Sequence, residues 1–210
     1  MSHEQQVERS ATSGSDGPNE PSLPGHEQHA PPAERIGVEA LFRAHAPFVA
    51  TFLQRLGTPG PEVDDLVQEV FVIAHRKGGY VKGPAQPRSW LGAIAMNVAR
   101  AGHRTRRRNE APDSPAVEQL SARADAPDSI DNRRSIERMQ RSLEQLPLEQ
   151  RAAFVLYEVE GETCESIAAT WGVPVGTVYS RLHHARRKFM QVYESMRGPD
   201  SEAAQAMGER

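Results

Sequence analysis

The stretch "GVPVGTVYSRLHHARRKF", residues 172–189, carries four cations, Arg181, Arg186, Arg187 and Lys188, on a segment whose apolar residues recur at helical spacing. Val178, Leu182, Ala185, Phe189 and Val192 follow at steps of 4, 3, 4 and 3, so one face of this helix is bound for a protein core. Thr177, Ser180, Arg181 and His184 point the other way, flanked by Arg187 and Lys188. Such side chains hydrogen-bond base edges, and cations meet phosphates. Ile167, Ala168 and Trp171 make a short helix just upstream, with Thr163 as N-cap and Gly172 as its end. A short helix, a tight turn and a longer helix form a helix-turn-helix, whose second helix suits a DNA major groove. The alternative for this segment is an ordinary surface helix with solvated charge.

A second basic element, "NVARAGHRTRRR" at 97–108, places five arginines between 100 and 108, a density suited to phosphate neutralisation. Tyr80 and Trp90 lie upstream around a Gly/Pro loop, and aromatics beside a basic groove stack single-stranded bases. Trp90 also falls in the apolar stripe of its helix, which favours core packing. A third element has the opposite sign. "PEVDDLVQEVFVIAH" puts Asp64, Asp65, Gln68 and Glu69 on the solvent side of a helix, while Leu66, Val67, Val70 and Phe71 pack. That polar face fits a basic protein surface, or simply solvent.

Other chemistry finds little support. His183 and His184 are adjacent, and neighbouring helical residues diverge by about 100°, so the pair chelates one ion poorly. Cys164 is the single cysteine, which excludes an internal disulfide and a cysteine-based zinc site. His3, His26 and His29 belong to a stretch with no geometry to hold a metal. No nucleophile–base pair, phosphate loop or metal cluster is visible, so no enzyme is expected and no cofactor is implied.

The elements that position these groups are helical throughout. Stripes at steps of three and four predict helices over about 36–56, 62–77 and 88–107, with "GTPGP" at 57–61 as a break and 78–87 too rich in Gly and Pro for regular structure. The first stripe includes Val38, Leu41, Phe42, His45, Phe48, Val49, Phe52, Leu53 and Leu56. Ile136, Met139, Leu143 and Leu146 mark a fourth helix; Leu148, Ala152, Val155, Leu156 and Val159 mark a fifth, opened by Pro147. The expected architecture is all-α: a three-helix domain at 35–108, an acidic flexible linker at 109–132 and a helix-turn-helix domain at 133–197. A disordered extension at 1–34 and a flexible tail at 198–210 complete the chain.

The 210 residues carry a net charge of only −3, but its distribution is uneven. Residues 35–109 hold twelve bases and five acids, whereas 1–34 and 110–132 each hold six acids and one Arg. Basic blocks between acidic ones point to a polyanionic partner. No apolar run approaches the length of a membrane span and no signal peptide is visible, so the expected location is cytoplasmic.

"DDLVQEVFV", then "SWLGAIAMNVAR", a linker, and "LEQLPLEQRAAFVLYEVEGETCESIAATWGVPVGTVYSRLHHARRKF" resemble, in order, the small two-domain sigma factors of bacterial RNA polymerase called extracytoplasmic-function sigma factors. The resemblance covers about 36–108 and 133–193. It implies that Asp64, Asp65, Gln68 and Glu69 dock on the clamp helices of the polymerase's largest subunit. It implies that the third helix and the loop before it open the minus-ten promoter element and trap an unpaired base. Tyr80, Lys82, Arg88, Asn97, Arg100, Arg104 and Arg107 would hold that strand. Thr177, Ser180, Arg181, His184, Arg187 and Lys188 would read the minus-thirty-five element as duplex. The family often has Arg where this chain has His184, which puts a titratable group at one contact. An anti-sigma factor, often membrane-tethered, is the further partner implied.

A fully extended 24-residue linker spans ~80 Å, and promoter elements two DNA turns apart are separated by ~70 Å. The linker therefore suffices if largely extended. A stand-alone helix-turn-helix regulator is the alternative function, and it leaves the "DDLVQEVF" helix without a purpose.

Overall fold

The computed structural model describes residues 34–109 and 130–196. The extension, most of the linker and the tail lie outside the described residues. The fold is all-α. Helix α1 (Val38–Arg55) buries Leu41, Phe48, Val49, Phe52 and Leu53; α2 (Gly60–Arg76) buries Val63, Val67, Val70, Phe71 and Ala74. Helix α3 (Pro87–Asn109) lies across both and adds Leu91, Ile94, Ala95, Val98 and Ala99 to the core. Each set follows the 3.6-residue period, which puts its members on one stripe.

The break between α1 and α2 turns on Gly57, at φ +89°. An added Cβ there would lie 2.8 Å from Arg151 Nη1, so the position combines a left-handed backbone with a close approach. Pro59 and Pro61 then start α2, where their missing N–H groups cost no helical bond.

The loop at 78–87 differs from expectation. Tyr80–Val81 (β2) pairs antiparallel with Arg35–Ile36 (β1), Ile36 opposite Tyr80. Gly79, at φ +83°, makes this feasible: a Cβ would stand 2.4 Å from the Ile36 carbonyl oxygen. Pairing that depends on one glycine and a strand 45 residues upstream leaves no alternation to detect.

The second set comprises α4 (Ile130–Glu144), α5 (Leu148–Phe154), a π-helical turn (Val155–Val159), α6 (Cys164–Trp171) and α7 (Val175–Ser195). Leu143, Leu146, Ala152, Val155, Leu156, Ile167, Val178, Leu182 and Ala185 form its core. The π turn corrects one expectation. Glu160 N–H donates to the Val155 carbonyl at 3.0 Å, an i to i+5 step that shifts the helical phase. Val159, expected inward, is 44% exposed as a result. Phe42 is exposed as well, its ring edge-to-face with Phe71 at 4.9 Å, and Met139 lies at the rim.

The two sets pack against each other along α3, which meets α5 and α6. Gly92 of α3 lets the backbone approach Leu156, whose Cδ2 would be 3.0 Å from an added Cβ.

Candidate nucleic-acid interface

The helix-turn-helix is built by α6 and α7. The Thr163 side chain caps α6 by accepting from Ser166 N–H at 3.1 Å. Gly172 closes it in the left-handed region, φ +64°. Pro174 sits at the N-cap of α7. Val178, Leu182 and Ala185 are buried, and Phe189 stacks on Phe154 at 4.8 Å, so α7 is anchored along its expected face.

Its outward face carries the residues singled out above. Ser180, His184, Arg187 and Lys188 are exposed; Thr177 and Arg181 are half-buried. Arg181 is held by a cation–π contact, its guanidinium 5.3 Å from the Trp171 ring centre. Two residues the sequence reading passed over share this face, Val175 and Tyr179, the latter 53% exposed. Their period places them outward, but apolar residues on a basic helix carry no charge signal. Arg186 turns away and pairs with Glu158 over the Tyr157 ring, which keeps its guanidinium firmly protonated.

On α3, Asn97, Arg100, Arg104 and Arg107 step by 3, 4 and 3 and fall on one face. Asn97, Arg104 and Arg107 are exposed and Arg100 is half-buried. Arg100 Nη1 donates to Asn97 Oδ1 at 3.1 Å, and its Nη2 to Glu149 Oε1 at 2.6 Å. Burial tends to raise the Glu149 carboxyl, but a bond from its own backbone N–H and the Arg100 guanidinium leave it below the usual carboxylate range. Arg106 lies off this face, paired with Glu62 and against His103.

At the other end, the named residues separate. Tyr80 is buried, its hydroxyl donating to the Ala85 carbonyl and its ring edge-to-face with Trp90 at 5.9 Å. It offers no ring face for a base in this arrangement. Lys82 is exposed and pairs with Glu34 at 2.8 Å. Arg88 lies over Phe48 at 5.6 Å and reaches Glu160 at 3.3 Å.

A third surface lies on α2. Asp64, Asp65, Gln68 and Glu69 are all exposed on one side, and Val72, 47% exposed, extends that side by one turn. Among the described residues no group of three His, Cys, Asp or Glu could hold a metal, and no helix is long and apolar enough to cross a membrane.

The sequence matches two protein families, Sigma-70 region 2 over residues 41–109 and Sigma-70 region 4 over residues 136–189. It is 30% identical over 159 residues to the ECF RNA polymerase sigma factor SigM of Mycobacterium tuberculosis, covering 76% of this chain and 78% of that one. Over 155 residues it is 35% identical to the RNA polymerase sigma factor CarQ of Myxococcus xanthus, covering 73% and 87%. The fold is similar to that of the sigma factor RpoE of Bartonella quintana, solved in complex with the anti-sigma factor NepR, at TM-score 0.61 and 24% identity over 74% of this chain and 96% of that one. It is similar also to CnrH, solved with the cytosolic domain of CnrY, at TM-score 0.55 and 25% identity, covering 75% and 88%. With Sigma-70 region 2 matched ahead of region 4 and extracytoplasmic-function relatives at 30% identity over most of their length, the chain belongs to the extracytoplasmic-function sigma factors of bacterial RNA polymerase.

Proposed function

We propose that this sigma factor binds core RNA polymerase through α2, holds the melted minus-ten strand on α3, and reads the minus-thirty-five duplex with α7. The observation that carries the assignment is the stripe Asn97, Arg100, Arg104 and Arg107, four polar or cationic groups in register on one helix face. Phosphates along a single strand meet such a stripe, and an amide can hydrogen-bond a base edge. Asp64, Asp65, Gln68 and Glu69 form a separate anionic face suited to a basic polymerase surface. Thr177, Ser180, Arg181, His184, Arg187 and Lys188 serve the duplex, with Val175 and Tyr179 as apolar neighbours for thymine methyl groups.

The protein works in the cytoplasm without bond-making chemistry of its own, and an anti-sigma factor restrains it, a reading supported by the similar sigma factor RpoE solved in complex with the anti-sigma factor NepR. The test is transcription by core polymerase on fragmented DNA of the source organism, with and without the full chain. Defined 5′ ends with permanganate-reactive thymines upstream are expected only when the chain is present. Arg104→Glu/Arg107→Glu abolishes the reactivity if α3 holds the strand. Footprinting of duplex DNA by the chain alone, with no dependence on polymerase, would instead indicate a stand-alone regulator.

A further inference from the structure

We propose that Tyr80 and Arg35 are positioning residues for the promoter strand: they hold the loop at 78–87 in one shape, so that Lys82 stands ready ahead of α3 before DNA binds. The inference rests on the assignment of Lys82 and the α3 stripe to the melted minus-ten strand. It gives Tyr80 a task other than stacking a base, and it gives a task to the residues just upstream of α1.

The loop is tied at both feet. At the first, Arg35 Nη1 donates to the Gly78 carbonyl at 2.7 Å, and Ile36 pairs with Tyr80 across the two-residue ladder. Lys82 is held twice by one residue: its N–H donates to the Glu34 carbonyl at 2.9 Å, and its ammonium to Glu34 Oε2 at 2.8 Å. At the second foot the Tyr80 hydroxyl donates to the Ala85 carbonyl, and its ring meets Trp90 of α3 edge to face. Tyr80 is only 4% exposed. It is a strut inside the loop, whereas Val81, Lys82, Gly83 and Pro84 form an exposed tip. The Lys82 side chain stays 69% exposed, so its pairing with Glu34 leaves the ammonium open to a phosphate.

A stretch with Gly78, Gly79 and Gly83 has many conformations to lose. DNA that had to order it would bind more weakly for each residue fixed. The ties remove that cost before DNA arrives. They also set where Lys82 stands. The loop enters α3 at Pro87, and Asn97 lies about 15 Å further along the helix, at 1.5 Å per residue. A strand lying on the stripe finds Lys82 at a set place only while the loop keeps its shape.

The experiment compares the full natural chain with Tyr80→Phe and Arg35→Gln, each with core polymerase on the promoters found by the transcription test above. Tyr80→Phe separates the two tasks, because phenylalanine stacks on a base as tyrosine does but cannot donate to the Ala85 carbonyl. In the free chain, amide hydrogen exchange at Val81, Lys82, Gly83 and Ala85 should rise in both variants. Permanganate reactivity should then require about two- to tenfold more holoenzyme, the fold-change for one lost hydrogen bond. Affinity for core polymerase and for minus-thirty-five duplex should stay unchanged; a residue serving folding alone would lower all of these together. The salt slope of Arg35→Gln should match that of the natural chain, whereas an arginine touching a phosphate itself would take about 0.7 from it.

Unchanged exchange in Tyr80→Phe, or promoter opening at the natural holoenzyme concentration, would overturn the proposal, and a flatter salt slope would overturn it for Arg35. Should Tyr80→Phe not fold, Gly79→Ala takes its place with the same expectations, since its Cβ would stand 2.4 Å from the Ile36 carbonyl oxygen and part the ladder. If the natural chain opened no promoter, the strand assignment would fall and this role with it, while exchange would still report the ties.

Discussion

Arg100 and Glu149 are 49 residues apart in sequence and in direct contact, Nη2 to Oε1 at 2.6 Å. The same guanidinium holds Asn97 through Nη1, so its orientation on α3 is fixed before any DNA arrives. If Arg100 takes a promoter phosphate as proposed, a guanidinium held in this way loses less rotamer freedom in doing so.

The stripe on α3 predicts the salt dependence of open-complex formation. Each cation that neutralises one phosphate of a single strand contributes about −0.7 to the slope of log K against log salt concentration. Arg104→Gln and Arg107→Gln should each flatten that slope by about 0.7, and Arg106→Gln, which faces Glu62 instead, should leave it nearly unchanged. Holoenzyme titrations at several salt concentrations, scored by permanganate reactivity, check this.

Two substitutions test how the helix-turn-helix is held. Thr163→Ala removes the acceptor for Ser166 N–H and should cost about 1 kcal/mol. Gly172→Ala meets no atom within 4 Å, so its cost is backbone strain alone, about 1–2 kcal/mol for a left-handed alanine. Urea unfolding of the full chain measures both, and minus-thirty-five binding should weaken while core-polymerase affinity holds.

What was legible in the sequence was local. Leu41, Phe48 and Phe52, or Val178, Leu182 and Ala185, repeat at helical spacing whatever they touch, so the first three helices could be read with boundaries off by a residue or two, and the anchored face of α7 from its stripe. The phase shift that turns Val159 outward is a change of hydrogen-bond register, to which composition is blind. The packing of the two helix sets was less accessible still. Ser89, Glu162 and Ser166 are unremarkable singly, and only the meeting of residues 73 and 77 positions apart makes them a relay. Tyr80 shows the same limit: its setting beside a Gly/Pro loop left open whether it packs or stacks a base, and strand pairing and the Ala85 carbonyl bury it.

Arg151 is a buried guanidinium that ties the ends of α1 and α4 to the turn before α5. It donates to the carbonyls of Leu56 at 2.9 Å, Glu144 at 2.5 Å and Leu146 at 3.2 Å. Burial lowers its pKa, partly offset by Glu144, yet a guanidinium stays charged throughout. Arg151→Ala should cost roughly 2–4 kcal/mol, because carbonyls at the ends of α1 and α4 lose a charged donor. Arg151→Lys should recover little, since a single ammonium cannot span three acceptors. Chemical denaturation separates the two, with the natural chain as reference.

The histidines predict loss of stability on mild acidification. His103 Nε2 lies 3.2 Å from the Leu56 carbonyl, and its Nδ1 3.2 Å from Arg106 Nη2. A neutral ring protonated on Nε2 satisfies both contacts, whereas the imidazolium would set a second N–H against a guanidinium. Burial, then Arg106 and Arg151, push His103 below its ordinary value, against the Leu56 bond and Glu62. Burial, followed by Arg88, lowers His45 as well. A group depressed in the fold contributes fully above its unfolded pKa, about 6.5 for histidine, and loses that contribution as pH falls through the folded value. Melting temperature should therefore fall between about pH 7.5 and 5.5, above the range where ordinary carboxylates titrate. His45→Gln/His103→Gln should flatten the decline. An equally steep decline in the double variant would assign the effect to other groups.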